Sequence, residues 1–212
     1  MKNPLDELAQ SFMKFPGIGR RQAKRFAYFI IQSEPGWVQQ LSQQMMAVQQ
    51  HMKLDPISFQ YFYTPDPSVT HSPLTRDPAR DTGLLMVVEK DIDIEAIEKS
   101  KAYQGHYFVL GGLAPLIDTD IDKTIRLQQL LQLIEQRLQD TTRPLREVIF
   151  ALSANPEGDR TMRLVHQKIE SLPLASSIIF SQLGRGFSTG TEVEYSDPET
   201  IMYALTSRRK AE

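Results

Sequence analysis

Apolar residues recur at helical spacing through the first quarter of the chain. Leu5, Leu8 and Phe12 share a face, with Asn3 placed as N-cap and Pro4 at the first helical position, where its missing N–H costs nothing. After Pro16-Gly17-Ile18-Gly19, Ala23, Phe26, Ala27, Ile30 and Ile31 follow the i, i+3, i+4, i+7, i+8 pattern, which predicts a second helix burying all five. Pro35-Gly36 ends it. Val38, Leu41, Met45, Val48 and Met52 then form a 3-4-3-4 seam, short enough to imply packing within a small bundle rather than a long coiled coil.

The period changes next. Ile57, Phe59, Tyr61 and Tyr63 alternate with Ser58, Gln60 and Phe62, which predicts a strand, and Pro65, Pro67, Pro73 and Pro78 punctuate a loop behind it. From residue 84 short apolar runs alternate with helical patterns. Strands are predicted at Leu84–Val88, His106–Leu110, Glu147–Leu152 and Ser177–Phe180. Helices are predicted at Asp91–Ser100, at about 120–139 with Leu127, Leu130, Leu131, Ile134 and Leu138 on one side, and at Gly158–Glu170 with Met162, Val165 and Ile169 inward. Thr191–Tyr195 reads as an edge strand, and Asp197 as the cap of a last helix bearing Ile201, Met202 and Leu205. Short buried strands between helices predict an α/β fold with a mostly parallel sheet covered on both faces.

Composition narrows this picture. The 212 residues are 41% hydrophobic and carry a net charge of −2, with no cysteine, so a real core is available and disulfides, thiolate metal sites and cysteine nucleophiles are excluded. No run has the roughly 18 apolar residues of a membrane span. The opening MKNPLDELAQ meets Pro4, Asp6 and Glu7 too early for a signal peptide, which predicts a cytoplasmic chain. The charge is unevenly placed. Residues 1–58 hold seven basic and four acidic side chains, net +3, whereas residues 82–212 hold fifteen and nineteen, net −4. The two ends therefore suit different partners.

The basic end carries the sharpest motif. Gly17 and Gly19 flank Ile18 between two helices, and glycine there lets the backbone turn tightly and approach a ligand. Hairpin amides and the following helix N-terminus favour phosphate. Lys14, Arg20, Arg21, Lys24 and Arg25 add five positive charges within twelve residues that contain no acid. Contacts of this kind hold the DNA backbone rather than read its sequence.

In the acidic half, Glu89 follows the first strand and Glu157-Gly158-Asp159 the third, where open α/β sheets place functional groups. These carboxylates either share a divalent cation or simply favour a helix start. The Gly184-Arg185-Gly186 loop with Ser188, Thr189 and Gly190 lacks the Gly-Lys-Ser/Thr of a P-loop. His51, His71, His106 and His166 show no metal-ligand spacing, and no nucleophile elbow is present.

Taken in order, these stretches resemble the bacterial RecR family over nearly the whole chain. The resemblance is carried by Phe15-Pro-Gly-Ile-Gly-Arg-Arg-Gln-Ala-Lys-Arg-Phe-Ala27, Arg76-Asp-Pro-Ala-Arg-Asp81 and Val87-Val-Glu89. Tyr107-Phe-Val-Leu-Gly-Gly-Leu113, Glu157-Gly158, Gly184-Arg-Gly186 and Glu194-Tyr-Ser-Asp197 complete it. It implies a helix-hairpin-helix domain over 1–54, a zinc-finger-like module over 55–81, a Toprim domain over 82–182 and a C-terminal extension over 183–212. It further implies a non-enzymatic DNA clamp or mediator in recombinational repair after DNA damage. Such a clamp would form a dimeric or tetrameric ring and load recombinase on gapped or junction DNA with RecO and RecF. By position, Arg21 and Arg25 match the family's DNA-facing basic residues, and Glu89, Glu157 and Asp159 its acidic Toprim positions.

Two departures stand out. The family's four zinc cysteines correspond here to Gln60, Tyr63, Ser72 and Thr75, so no zinc cofactor is expected. An aromatic cluster of Phe59, Tyr61, Phe62 and Tyr63, together with the four prolines, is expected to offset its loss. Catalytic Toprim members carry Asp-x-Asp where this chain resembles Ser153-Ala-Asn155, which leaves only a weak site for Mg²⁺. The alternatives are a Mg²⁺-dependent Toprim nuclease or phosphotransferase using Glu89, Glu157 and Asp159, and a partner-binding adaptor that does not bind DNA.

Overall fold

A computed structural model describes residues 3–115, 124–184, 186, 187, 190 and 192–208. The chain forms two compact units, Met1–Met52 and Lys53–Glu212.

The first unit is helical, with α1 (Pro4–Phe12), α2 (Arg20–Gln32) and α3 (Pro35–His51). The Asn3 side chain accepts the Leu5 N–H at 3.1 Å, and Asp6 and Glu7 lie in the first turn, where negative charge complements the helix dipole. Small residues bring α1 and α2 together: Ala9, Ala23 and Ala27 are buried, ringed by Leu5, Leu8, Phe12 and Ile18. Phe12 meets Phe26 edge-on at 5.8 Å. Ile31, predicted inward, is 63% exposed. At about 100° per residue it lies about 80° round the helix from Ala23, at the edge of the buried stripe. The α3 seam also differs from expectation. No α3 residue is fully buried, and Met45 and Val48 are exposed.

The second unit is built on a four-stranded parallel sheet of β3 (Asp81–Val88), β4 (Gly105–Val109), β5 (Glu147–Ala151) and β6 (Ile179–Gln182), in the order β4-β3-β5-β6. Val88 is level with Val109 on one side and Ala151 on the other. Alternation along β3 sends Leu85 and Val87 to one face, against α6 (Leu127–Gln139) and α7 (Pro156–Glu170). Met86 and Val88 pack on the other face with Ile94 of α5 (Asp91–Ser100), Tyr103 and Tyr107. Helices thus cover both faces, as parallel strands require. The predicted beginning of α6 at 120–123 lies outside the described residues. A turn of 3₁₀ helix, Ala175–Ser177, precedes β6, so that strand starts two residues later than predicted. Val193–Tyr195 is also 3₁₀ rather than an edge strand, and Asp197 caps α8 (Pro198–Thr206) by accepting the Thr200 N–H at 2.9 Å.

Residues 57–63 do not form the predicted strand. Only β2 (Tyr61–Tyr63) is extended, paired with β1 (Met52–Leu54), because residues 55–58 turn and Phe59 adopts φ 56°. That turn sends Phe59 onto Phe108 at 5.4 Å, beneath the Arg126 guanidinium. Ser58 O accepts the Val109 N–H at 2.8 Å, covering the free edge of β4. The expected aromatic cluster is therefore dispersed: Phe62 is buried, Phe59 joins the sheet core, and Tyr61 and Tyr63 are exposed. The Arg76–Asp81 stretch, which contains α4 (Pro73–Arg76) only at its start, is a clasp. Buried Arg80 donates to Gly105 O at 2.9 Å and Glu98 at 2.5 Å and lies over the Tyr107 ring, while Asp81 pairs with Arg146 at 2.6 Å.

Candidate nucleic-acid interface and the acidic strand ends

The hairpin between α1 and α2 closes through the Ile18 N–H donating to Phe15 O at 3.2 Å, with Gly17 at φ 74°, a conformation that L side chains rarely adopt. Gly19 is the N-cap of α2 in an extended conformation, and its carbonyl accepts the Ala23 N–H at 2.9 Å. A Cβ added at either glycine would meet nothing within 4 Å, so the hairpin surface is open. No side chain caps α2 and no acid stands in its first turn, so its leading N–H groups and the positive dipole end lie at an uncompensated terminus.

Arg20, Arg21 and Arg25 are exposed on the first turns of α2, and Lys14 is exposed in the preceding turn. Arg21 and Arg25 lie four residues apart and share one stripe. Lys24 lies on a neighbouring stripe with Arg20 and pairs with Asp6 of α1 at 3.6 Å, in a cleft also lined by Gln10 and Met13. The seven predicted positions thus gather on one end of a single unit.

The acidic residues do not gather in the same way. Glu89, at the end of β3, is buried; its Oε2 accepts the Ser153 hydroxyl at 2.5 Å and its Oε1 pairs with Lys90 at 2.6 Å. Burial pushes this carboxyl up, but the Lys90 ammonium and the Ser153 hydroxyl outweigh it and hold the group below its ordinary value. Glu157 is exposed in the first turn of α7. Asp159 is half-buried and lines a cleft with Leu152, Met162, Gln182 and Gly184. Among the described residues no group of three or more His, Asp and Glu side chains is placed to hold a metal ion.

The Ser153-Ala-Asn155 positions serve the fold. Asn155 caps α7 by accepting the Gly158 N–H at 2.8 Å, and a Cβ on Gly158 would stand 1.9 Å from Ser153 O, so only glycine fits this turn. Gly111, at φ 91°, turns the chain after β4 beside Arg126. Sequence reasoning missed Lys90 as the partner of Glu89. It also missed Thr161, whose hydroxyl accepts the Ala114 N–H at 2.8 Å and donates to Glu157 O at 2.7 Å. The Thr161–Ala114 contact joins positions 47 residues apart, whose proximity no local spacing announces. Of the glycine-bearing loop, Arg185, Ser188 and Thr189 lie outside the described residues.

Comparison with known proteins bears on the same two regions. The RecR helix-hairpin-helix family model matches residues 5–48, and the Toprim domain model matches residues 83–180. The recombination protein RecR of Chloroflexus aggregans is 30% identical over 207 residues, spanning 98% of this chain and 94% of the relative. That of Tropheryma whipplei is 33% identical over 205 residues, 97% and 96% of the two chains. The chain belongs to the RecR family.

In the RecR family model the hairpin lies inside the matched helical segment, so Gly17, Gly19 and the basic face of α2 are part of the family's own domain. Glu89, Ser153 and the start of α7 fall within the matched Toprim segment. RecR membership supports a role in recombinational repair, since the relatives are named recombination proteins. No helix among the described residues is long and apolar enough to cross a membrane.

Proposed function

We propose that the chain is a non-enzymatic DNA-binding mediator of recombinational repair. In this reading copies assemble into a ring that acts as a clamp on gapped or junction DNA, and RecO- and RecF-type partners dock on the Toprim unit to help load recombinase. The observation that carries the reading is the exposed hairpin: open glycines, an acid-free helix start, and Arg20, Arg21 and Arg25 together beside Lys14. Phosphate is the ligand that this charge and these amides suit. Exposed Phe29, Trp37, Met45, Met46 and Val48 on the same unit support self-association, because a lone domain rarely leaves so much apolar surface in water. The non-enzymatic part is supported by Ser153 and Asn155, which are engaged with Glu89 and with the α7 start.

Binding of gapped DNA, measured across a salt series, tests the reading. Affinity should fall by about 0.9 log units per phosphate contact for each log unit of salt. The double variant Arg21→Glu, Arg25→Glu should lose binding while keeping its melting temperature. Unchanged binding would remove this face from the proposal, and metal-dependent cleavage that disappears in Glu89→Gln would replace the clamp by an enzyme.

A further inference from the structure

The residues at the four zinc positions of the RecR pattern do not fit that ion. Ser72 Oγ accepts the Thr75 N–H at 3.1 Å and lies 3.1 Å from Thr75 Oγ1, which in turn reaches Ser58 Oγ at 3.4 Å. Tyr63 is 65% exposed on β2. Gln60 Oε1 is buried with no hydrogen-bond partner among the described residues, but a neutral amide oxygen, two hydroxyls and a phenol are not the thiolate and imidazole set that zinc takes. Yet the segments that would carry the two knuckles are still drawn together, by Asp55 and Lys53.

Asp55, the residue after β1, is fully buried. Its Oδ1 accepts the N–H groups of Ile57 at 2.8 Å and Ser58 at 3.0 Å, and its Oδ2 accepts that of Ser72 at 2.5 Å. Its own backbone closes the same turn, with its N–H donating to Gln60 O at 2.8 Å and its carbonyl accepting the Phe59 N–H at 2.9 Å. One carboxylate, seventeen positions from Ser72, thus joins the 57–60 turn to the 72–75 turn. Two residues earlier, the Lys53 ammonium donates to the carbonyl oxygens of Pro67 at 2.6 Å, Val69 at 3.0 Å and Asp66 at 3.4 Å, fastening the loop between the turns. A buried charge is tolerable only when its hydrogen-bonding capacity is met: three N–H groups serve the buried Asp55, while three carbonyl oxygens hold the half-buried Lys53. Burial alone would push the Asp55 carboxyl up, but the N–H donors of Ser58, Ser72 and Ile57 hold it below its ordinary value, so it is ionised at neutral pH. His71 Nδ1, 3.9 Å away, is the cationic partner when protonated.

We propose that residues 53–75 form a metal-free counterpart of a zinc finger, in which the Asp55 carboxylate and the Lys53 ammonium are the crosslinks between turns that an ion would otherwise join. The module is then stable without metal and insensitive to chelators and to thiol oxidants. It also has a single point of failure, because three amides depend on one side chain. This inference stands whether or not the hairpin binds DNA, since no step of it uses that face.

Two measurements on the full chain test it. Elemental analysis should find no stoichiometric zinc, and EDTA should leave the melting temperature unchanged; one zinc per chain, or a fall in melting temperature with EDTA, would overturn the proposal. Hydrogen exchange should show the Ile57, Ser58 and Ser72 amides protected. Asp55→Asn should speed their exchange by at least about tenfold, as expected on losing hydrogen bonds to a charged acceptor. Leu85 and Val148 in the sheet should be unaffected. Should Asp55→Asn fail to fold, Lys53→Met keeps the question open to measurement, because it should accelerate the Val69 amide while sparing the sheet. Unchanged exchange in both variants would refute the crosslink.

Discussion

The starts of α2 and α7 pose the same physical problem and solve it in opposite ways. A glycine that the local backbone requires is near each, Gly17 in the hairpin before α2 and Gly158 in the first turn of α7, and each helix presents leading N–H groups with the positive end of a dipole. At α7 the chain answers with its own atoms: Asn155 caps the Gly158 N–H, Glu157 and Asp159 supply negative charge in the first turn, and Ser153 O fills the space beside Gly158. At α2 nothing of the kind is present. Gly19 caps without a side chain, arginines occupy the first turn, and the space beside both hairpin glycines is open. A self-satisfied helix start belongs to the fold, whereas a vacant one surrounded by positive charge is suited to an anion from outside.

The largest effect that would sharpen this contrast is at Gly158. Gly158→Ala drives a Cβ into the Ser153 carbonyl, and a clash with backbone cannot be relieved by a rotamer change. A loss of about 4 kcal/mol or more is expected in urea denaturation of the sheet unit. Gly17→Ala has open space and meets only the cost of its positive φ, about 1 kcal/mol. Equal losses at the two glycines would erase the distinction between the two helix starts.

The next effect concerns acid. His106 is buried at the foot of β4 and lowered to about 4, first by burial and then by the charges of Arg137 and Arg80. The unfolded chain takes up this proton near 6.5, whereas the folded chain resists until about 4. Stability therefore falls as pH drops through that window, by about 3 kcal/mol, and is fully present above it. Equilibrium unfolding between pH 7 and pH 4 should show this slope, and His106→Gln should flatten it. A slope that persists unchanged would place the acid sensitivity elsewhere.

Smaller effects separate the two helix starts further. Asn155→Ala should cost about 1 kcal/mol of stability by uncapping α7. Lys24→Ala removes an exposed pair with Asp6 and should cost no more than about 0.5 kcal/mol, while lowering the salt dependence of any DNA association. A melting shift at Lys24 exceeding that at Asn155 would show that the basic face is structural after all.

Much of the fold was legible along the chain. The 3.6-residue spacing around Ala23 and Ala27, the apolar runs of β3 and β5 and the caps at Asn3 and Asp197 are local signals, and the structure contains each element. The hairpin was legible for the same reason, since its glycines and arginines fall within twelve residues. The misreadings at 57–63 turn on contacts that side-chain period does not register. Alternation at 57–63 looked like a strand because period alone cannot register that Asp55 gathers the Ile57, Ser58 and Ser72 amides. The aromatic residues there looked like a cluster because nothing local shows that Phe108 and Arg126 claim Phe59.

The sequence by itself determined most of the helices, the four sheet strands and their mostly parallel arrangement, and the charge contrast between the two ends. These follow from side-chain periodicity and backbone preference, which act over a few residues. Only the tertiary structure decided that Glu89 lies between Lys90 and Ser153, that Gly158 has no room for a Cβ, and that a carboxylate rather than an ion joins the turns around Ser58 and Ser72. Those outcomes depend on desolvation and on donors contributed from as many as 64 positions away, which no local pattern encodes.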